Sequence, residues 1–216
     1  RYDAFASLFH AMTTSATPRS PGRQRDTAAH EAILAATHEL LDELGYSKLS
    51  IEGVASRAGV GKATIYRWWP HKGALAVEAY LTAVAPSIAF PVTDDPRRDI
   101  EVQVHRLARV YRGQKGQTLR TIIGSGLADE GTMQLLSNGY LNPRRGVAKA
   151  ALMRGVEHGV FRDDLDLERV IDAIYGPLFH RLIIGHAALD VAFIDTLLQI
   201  VLDGISVKPP SRAPKR

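Results

Sequence analysis

A chain of 216 residues, 45% hydrophobic and 23% charged, holds enough apolar material for one compact domain or two small ones, and it has no cysteine, which excludes disulfide frameworks, thiolate nucleophiles and thiolate metal sites. No apolar run reaches the ~18 residues of a membrane span, and no signal-peptide pattern opens the chain, so no membrane partner is expected and the expected location is the cytoplasm. The formal net charge of +4 sits wholly in the tail, where Lys208, Arg212, Lys215 and Arg216 stand without an acid, so local rather than total charge must point to partners.

Residues 1–26 read as a disordered basic arm. Met12 is followed by Thr-Thr-Ser-Ala-Thr-Pro-Arg-Ser-Pro-Gly, turn-rich and poor in apolar residues, and residues 1–11 read as an upstream remnant. From Thr27 the pattern turns helical. Ile33, Leu34, Thr37, Leu40, Leu41 and Leu44 recur at spacings of three and four, and Gly45 supplies the left-handed residue that ends such a helix. Ser50 offers a cap to a second helix, which buries Ile51, Val54, Ala55 and Ala58 and ends at Gly59. A third helix starts just after and is short, because Pro70 lacks a backbone donor and disfavours helix at Trp69. A fourth runs from about Lys72 to Ala85.

Residues 87–96, which follow Pro86 and carry Pro91 and Pro96, read as a linker, which sets the domain boundary near residue 88. Beyond it the expected helices are Arg97–Arg112, Gln117–Asp129, Met133–Leu136, Asn142–His158, Leu167–Ala187 and Val191–Ile205, with Gly176-Pro177 breaking the fifth of these. Almost nothing alternates with the period of two that a strand needs. The expected class is therefore all-α: a helix-turn-helix domain over 27–87 (motif 50–69), a helical domain over 88–207, and a basic tail over 208–216.

The segment 50–69 carries the chemistry. A helix-turn-helix needs a small residue where two helices cross, a glycine at the turn and an apolar seam beneath. Ala55, Gly59 and the seam Val54, Ala58, Val60 and Ile65 fill all six positions. Between Gly45 and Gly73 the cations Lys48, Arg57, Lys62, Arg67 and Lys72 stand against one acid, Glu52, a local footprint for phosphates. Lys62, Ala63, Thr64, Arg67 and Trp68 fall at the third helix, where side chains meet base edges in a major groove. Ser50, Tyr66 and Lys72 are placed for phosphate oxygens, which fix register without reading sequence.

Ala58-Gly59-Val60, Ile65-Tyr66, Trp69, Lys72 and Leu75, with the helix-1 stripe and Ser50 upstream, resemble the TetR family of transcriptional regulators, in the form Ile-Tyr-Arg-Trp-Trp-Pro of a Trp-Trp-Pro subgroup. The resemblance covers residues 27 to about 87. It implies that Trp69 is a core aromatic while Trp68 faces DNA, and that Tyr66 and Lys72 contact phosphates. His71 stands where the family often has Ser, Asn or Asp capping the fourth helix, so that helix start is expected to be held differently. Arg19, Arg23 and Arg25 before helix 1 would lie along a backbone or in a minor groove, or simply be solvated.

The resemblance further implies a homodimer on double-stranded palindromic operator DNA and a C-terminal domain that takes an unknown small-molecule effector, with no cofactor. Ile174, Leu178, Leu182, Phe193, Leu197, Ile200 and Val201 are the candidate dimer residues, each also readable as monomer core. Leu107, Tyr111, Ile122, Ile123, Leu127, Leu152, Tyr175 and Phe179 are the candidate effector lining, each also readable as plain packing. Glycines 113, 116, 124, 126 and 131 are expected to loosen the helices there.

An enzyme is the reading from another class. It finds no nucleophile elbow or phosphate loop, and His180 and His186, six apart on one helix, are expected on different faces. The alternative within DNA binding is a nucleoid-associated protein without ligand response, distinguished by nearly equal affinity for all duplexes.

Overall fold

The structure, a computed structural model, describes residues 22–127 and 130–207, with side chains from Thr27 onward. Ten α-helices follow in chain order among the described residues: α1 Gly22–Leu44, α2 Ile51–Ala58, α3 Lys62–Trp68, α4 Lys72–Val84, α5 Pro96–Arg112, α6 Gln114–Gly126, α7 Glu130–Leu136, α8 Asn142–Glu157, α9 Leu167–Ile184 and α10 Val191–Ile205. None of them is long and apolar enough to cross a membrane. No strand forms among these residues beyond one isolated antiparallel bridge, Phe161 to Ser206.

The helices follow the expected order with several different bounds: α6 starts at Gln114 and α7 at Glu130, and α1 differs at its start. α1 begins at Gly22 rather than Thr27, because Arg23, Gln24 and Arg25 are good helix formers and the nearest breaker is Pro21. The rest of the expected arm, residues 1–21 with Arg19, and the tail 208–216 lie outside the described residues. Gly45 ends α1 at φ 75°, its N–H on the Leu41 carbonyl at 3.0 Å. Thr37, buried in the apolar stripe, satisfies its hydroxyl on the Ile33 carbonyl at 2.7 Å.

The chain divides into two compact units, Arg1–Ala83 with Thr118–Tyr140, and Val84–Gln117 with Leu141–Arg216. The prolines of the linker point to a single boundary near residue 88. The segment 118–140 instead groups with the first unit, and two packing details explain why. A Cβ on Gly73 would stand 2.1 Å from Thr132 Oγ1, so α4 and α7 meet there, and the Tyr80 and Tyr140 rings pack edge to face at 6.0 Å. A π-helical turn, Ser137–Leu141, follows α7.

In the second unit α5 packs against α8, α9 and α10, and α9 also against α8 and α10. Asp95 caps α5 by accepting from the Arg98 N–H at 2.9 Å, with Pro96 at the first helical position, where a missing N–H is harmless. α9 is not broken at Gly176-Pro177: it runs through Pro177 to Ile184. The missing N–H and ring fall beside Ala173 and Gly176, which are exposed, so water can take up the freed carbonyl while Ile174 and Leu178 stay packed beneath.

Several residues take positions other than those expected. Ile174, Leu178 and Leu182 are buried within their own unit, as the core alternative of their two readings has it. Their spacing of four puts them on the inner side of α9, which sequence periodicity cannot distinguish from an outer apolar side. On α10, Ile200 is 68% exposed, Leu197 and Val201 are half-buried, and the Arg181 guanidinium lies 3.4 Å from the Phe193 ring centroid. Leu127, a turn residue beyond α6, is 73% exposed, while Ile122 and Ile123 are buried in the first unit. Leu107, Tyr111 and Leu152 are buried in the second unit. There Phe179 meets Tyr111 edge to face at 5.6 Å, and the Tyr175 hydroxyl donates to Gln103 Oε1 at 2.7 Å. Burial pushes the Tyr175 phenol well above its ordinary range, so it serves as a neutral donor.

His180 and His186 are also closer than expected. α9 stops at Ile184, and Gly185 at φ 70° turns the chain back, bringing the two rings to 4.7 Å. Among the described residues no group of three or more His, Cys, Asp or Glu side chains gathers as metal ligands would.

Gly116 does the opposite of loosening a helix. A Cβ there would stand 1.9 Å from the Tyr111 carbonyl oxygen and 2.5 Å from its carbon, both backbone atoms that cannot step aside. Gly116→Ala is expected to force the α5–α6 corner apart at a cost of ~2–3 kcal/mol, the upper part of the range for overpacking. Urea unfolding followed by circular dichroism checks it. A shift under ~0.5 kcal/mol would mean that the corner relaxes freely.

Candidate nucleic-acid interface

α2 and α3 are set by local chemistry at both ends. Ser50, in extended conformation, accepts from the Gly53 N–H at 3.1 Å and starts α2. At the far end Gly59 adopts φ 66°, its N–H on the Ser56 carbonyl, and the Val60 N–H reaches the Ala55 carbonyl at 3.0 Å. This pair of bonds around a left-handed glycine closes a helix and redirects the chain within two residues. α3 then starts at Lys62 and ends after two turns. Trp69 is extended (φ −126°, ψ 113°), as a residue before proline must be, and still donates its N–H to the Ile65 carbonyl at 2.9 Å.

With only seven residues, α3 has its faces fixed by two anchors. Ile65, fully buried, and Trp69, 1% exposed, point inward. Lys62, Ala63, Tyr66 and Arg67, at spacings of one, four and five, are all exposed and share the opposite side. Thr64 and Trp68, one turn apart, are half-buried and border this strip. Thus the structure brings most of the residues expected to read DNA onto one exposed face. Ser50 is exposed at the start of α2, its hydroxyl oxygen already serving Gly53. Lys72 is drawn off: its ammonium donates to the Tyr46 carbonyl at 3.3 Å and lies 4.7 Å from the Tyr46 ring centroid.

The local charge differs from the count along the sequence. Arg57 turns back to α1, where it makes a two-bond pair with Glu43 at 2.9 Å each and a third bond to Glu39 at 3.2 Å. Its hydrogen bond holds the Glu43 carboxyl below the usual carboxylate range. Lys62 pairs with Glu52 at 3.1 Å, whose carboxyl is lowered first by its own backbone N–H and then by Lys62. Two acids of α1 that lie outside the window 45–73 therefore offset Arg57. The Arg67 guanidinium carbon lies 5.7 Å from the Trp68 ring centroid, beside the exposed strip.

Behind the strip lies a cluster that the motif spacing does not reveal. His30 of α1 stacks on Trp69 at 4.8 Å (27° between planes) and meets Trp68 edge-on at 4.8 Å (66°). Its Nε2 is 3.2 Å from Glu78 Oε1, and the other oxygen of that carboxyl accepts from Trp69 Nε1 at 2.7 Å. The only signal in the sequence is that His30 continues the α1 stripe three residues before Ile33. His71 holds the start of α4 itself, its Nδ1 accepting from the Ala74 N–H at 3.3 Å, so the imidazole does the work of the usual Ser, Asn or Asp.

Residues 33–79 match the profile described as bacterial regulatory proteins, tetR family, and residues 90–201 that of the tetracyclin repressor-like C-terminal domain. An uncharacterised HTH-type transcriptional regulator of Bacillus subtilis (strain 168), YdeS, is 35% identical over 184 residues, 85% of this chain and 93% of that protein. A DNA-binding transcriptional repressor TetR of Mycobacteroides abscessus is 30% identical over 183 residues, 84% and 95% of the respective chains. The crystal structure of the TetR family transcription regulator SCO0332 superposes with a TM-score of 0.74 at 36% identity, covering 84% of this chain and 99% of that one.

Proposed function

The chain belongs to the TetR family, as a DNA-binding transcriptional regulator, and we propose that it is a cytoplasmic repressor that holds a palindromic operator as a homodimer until a small ligand binds its second unit. The observation that carries the reading is the exposed strip Lys62, Ala63, Tyr66 and Arg67 on a helix clamped from behind by Ile65 and Trp69. Such a helix fits a major groove, where Arg67 can hold a guanine through two parallel hydrogen bonds. The repressor name of the Mycobacteroides relative supports the sign of regulation.

Dimerisation follows from the chemistry of a palindrome, since one chain presents one α3. The outer side of α9 and α10 supports it: Ala173, Gly176 and Ile184 are exposed on α9, and Ile200 on α10, with Leu197 half-buried beside it. For the effector, the second unit offers a largely apolar interior in which a polar pair, Tyr175 on Gln103, lies beside the Tyr111–Phe179 contact. A ligand that weakens operator binding tenfold must itself bind the operator complex tenfold more weakly, a coupling of ~1.4 kcal/mol.

The test is fluorescence anisotropy on duplexes tiled across the DNA beside the protein's own gene, with random duplex as reference, at two salt concentrations. A tile bound ~10³-fold above random supports a specific regulator; uniform binding favours a general DNA-coating protein. On that tile Arg67→Ala is expected to weaken binding by ~10-fold or more, equivalent to ~1–3 kcal/mol of base discrimination, and to relax preference at one base pair. An equal loss on tile and random DNA would make Arg67 a phosphate contact only.

A further inference from the structure

We propose that His30 and Glu78 are positioning residues for sequence reading: they fix the orientation in which Trp68 borders the DNA-facing strip. The inference rests on the reading of α3 as the recognition helix and deepens it.

The geometry runs through three helices of the first unit. Trp69, from the end of α3, is buried and gives its Nε1 hydrogen to one oxygen of Glu78 on α4. The other oxygen of that carboxyl stands 3.2 Å from Nε2 of His30 on α1. A ring nitrogen held there, with the ring face laid on the Trp69 indole at 4.8 Å, leaves the imidazole little freedom to turn. Its edge contact with Trp68 at 4.8 Å and 66° then presents a fixed wall to that indole. The Arg67 guanidinium, 5.7 Å from the Trp68 centroid, adds a weaker constraint.

Such support matters because α3 has seven residues and only Ile65 fully buried within it. A two-turn helix cannot by itself decide where a bulky indole on its border points. The side chain that does decide comes from α1, 38 residues earlier in the chain, and is anchored from α4. A reading side chain held by packed and hydrogen-bonded neighbours loses less freedom on binding, and a small misplacement costs it much of its discrimination. Neither His30 nor Glu78 is placed in the DNA-facing strip, so their effect on reading is exerted through Trp68.

The experiment uses the full chain and the tightest duplex it recovers from a random-sequence library, with a scrambled duplex of the same length as reference. Trp68→Ala, His30→Phe, the double variant and Glu78→Gln are compared by anisotropy and by thermal unfolding. Trp68→Ala is expected to lower the preference for the selected duplex by about tenfold. His30→Phe keeps an aromatic ring but loses the link to Glu78, and is expected to cause a comparable loss while scrambled-duplex affinity stays unchanged. The double variant is expected to be no worse than Trp68→Ala, as for two residues acting through one contact. Glu78→Gln keeps the volume and is expected to act in the same direction as His30→Phe.

Independent, multiplying losses in the double variant would overturn the proposal while leaving Trp68 a reader. It is equally overturned if Glu78→Gln and His30→Phe shift thermal stability but not preference, since that is purely structural behaviour. If Trp68→Ala itself leaves preference intact, the reading of Trp68 fails and the proposal goes with it.

Discussion

Trp69→Ala is expected to lose binding to every duplex, specific or random, because it unfolds the unit that carries α3. Trp69 is 1% exposed and is among the largest side chains in the core. Removing a buried indole costs ~3–5 kcal/mol, transfer and cavity together. Here the loss also strips Glu78 of its indole hydrogen bond and His30 of the ring on which it stacks. Against a whole-domain stability of ~5–15 kcal/mol, a loss of that size leaves little margin for a small helical unit. Trp69→Phe keeps an aromatic ring but gives up the Nε1 hydrogen bond and part of the indole volume, which should cost ~1–3 kcal/mol and spare DNA binding. Urea unfolding by circular dichroism, paired with anisotropy on one specific and one random duplex, separates the cases. A folded Trp69→Ala protein that binds random DNA normally would show that Ile65 alone seats the helix.

The adjacent tryptophans thus do different jobs, and much of that is legible in the chain. Helix ends are written in residues whose conformational rules are local: Gly45 and Gly59 at positive φ, Ser50 at an N-cap, Pro70 forcing Trp69 extended. What is not legible depends on which distant side chains meet. Arg57 pairs with Glu43, fourteen residues before it, so a charge count in one window overstates the local positive charge. His30 comes to the tryptophans because α1 packs on α2 and brings its first turns past α3. Ile174, Leu178 and Leu182 show the same limit in another form: an apolar stripe announces burial, and only the packed unit says against what. The meeting of His180 and His186 escapes a spacing argument because six residues are counted along a helix that Gly185 has already ended.

Asp99→Ala is expected to be the most damaging polar substitution in the second unit. The carboxylate is fully buried yet accepts three bonds: from the Thr93 N–H at 3.0 Å, the Thr93 hydroxyl at 2.8 Å and the Arg154 guanidinium at 2.7 Å. It ties the end of the linker and the first turn of α5 to α8, across 55 residues of sequence. Breaking a buried ion pair by removing one partner costs ~3–5 kcal/mol, since the remaining charge is stranded. Arg154 is 27% exposed, so water can recover part of this, and ~2–4 kcal/mol is the fairer expectation. Among the described residues its Nε has no hydrogen-bond partner, so the guanidinium has little left to fall back on. The double variant Asp99→Ala/Arg154→Met removes the stranded charge along with its partner. It should therefore recover a good part of the loss, which a single deletion of packing volume would not. Denaturant unfolding of the two variants beside the parent decides it: if the double variant is less stable than Asp99→Ala, the cost lies in packing and not in the unpaired charge.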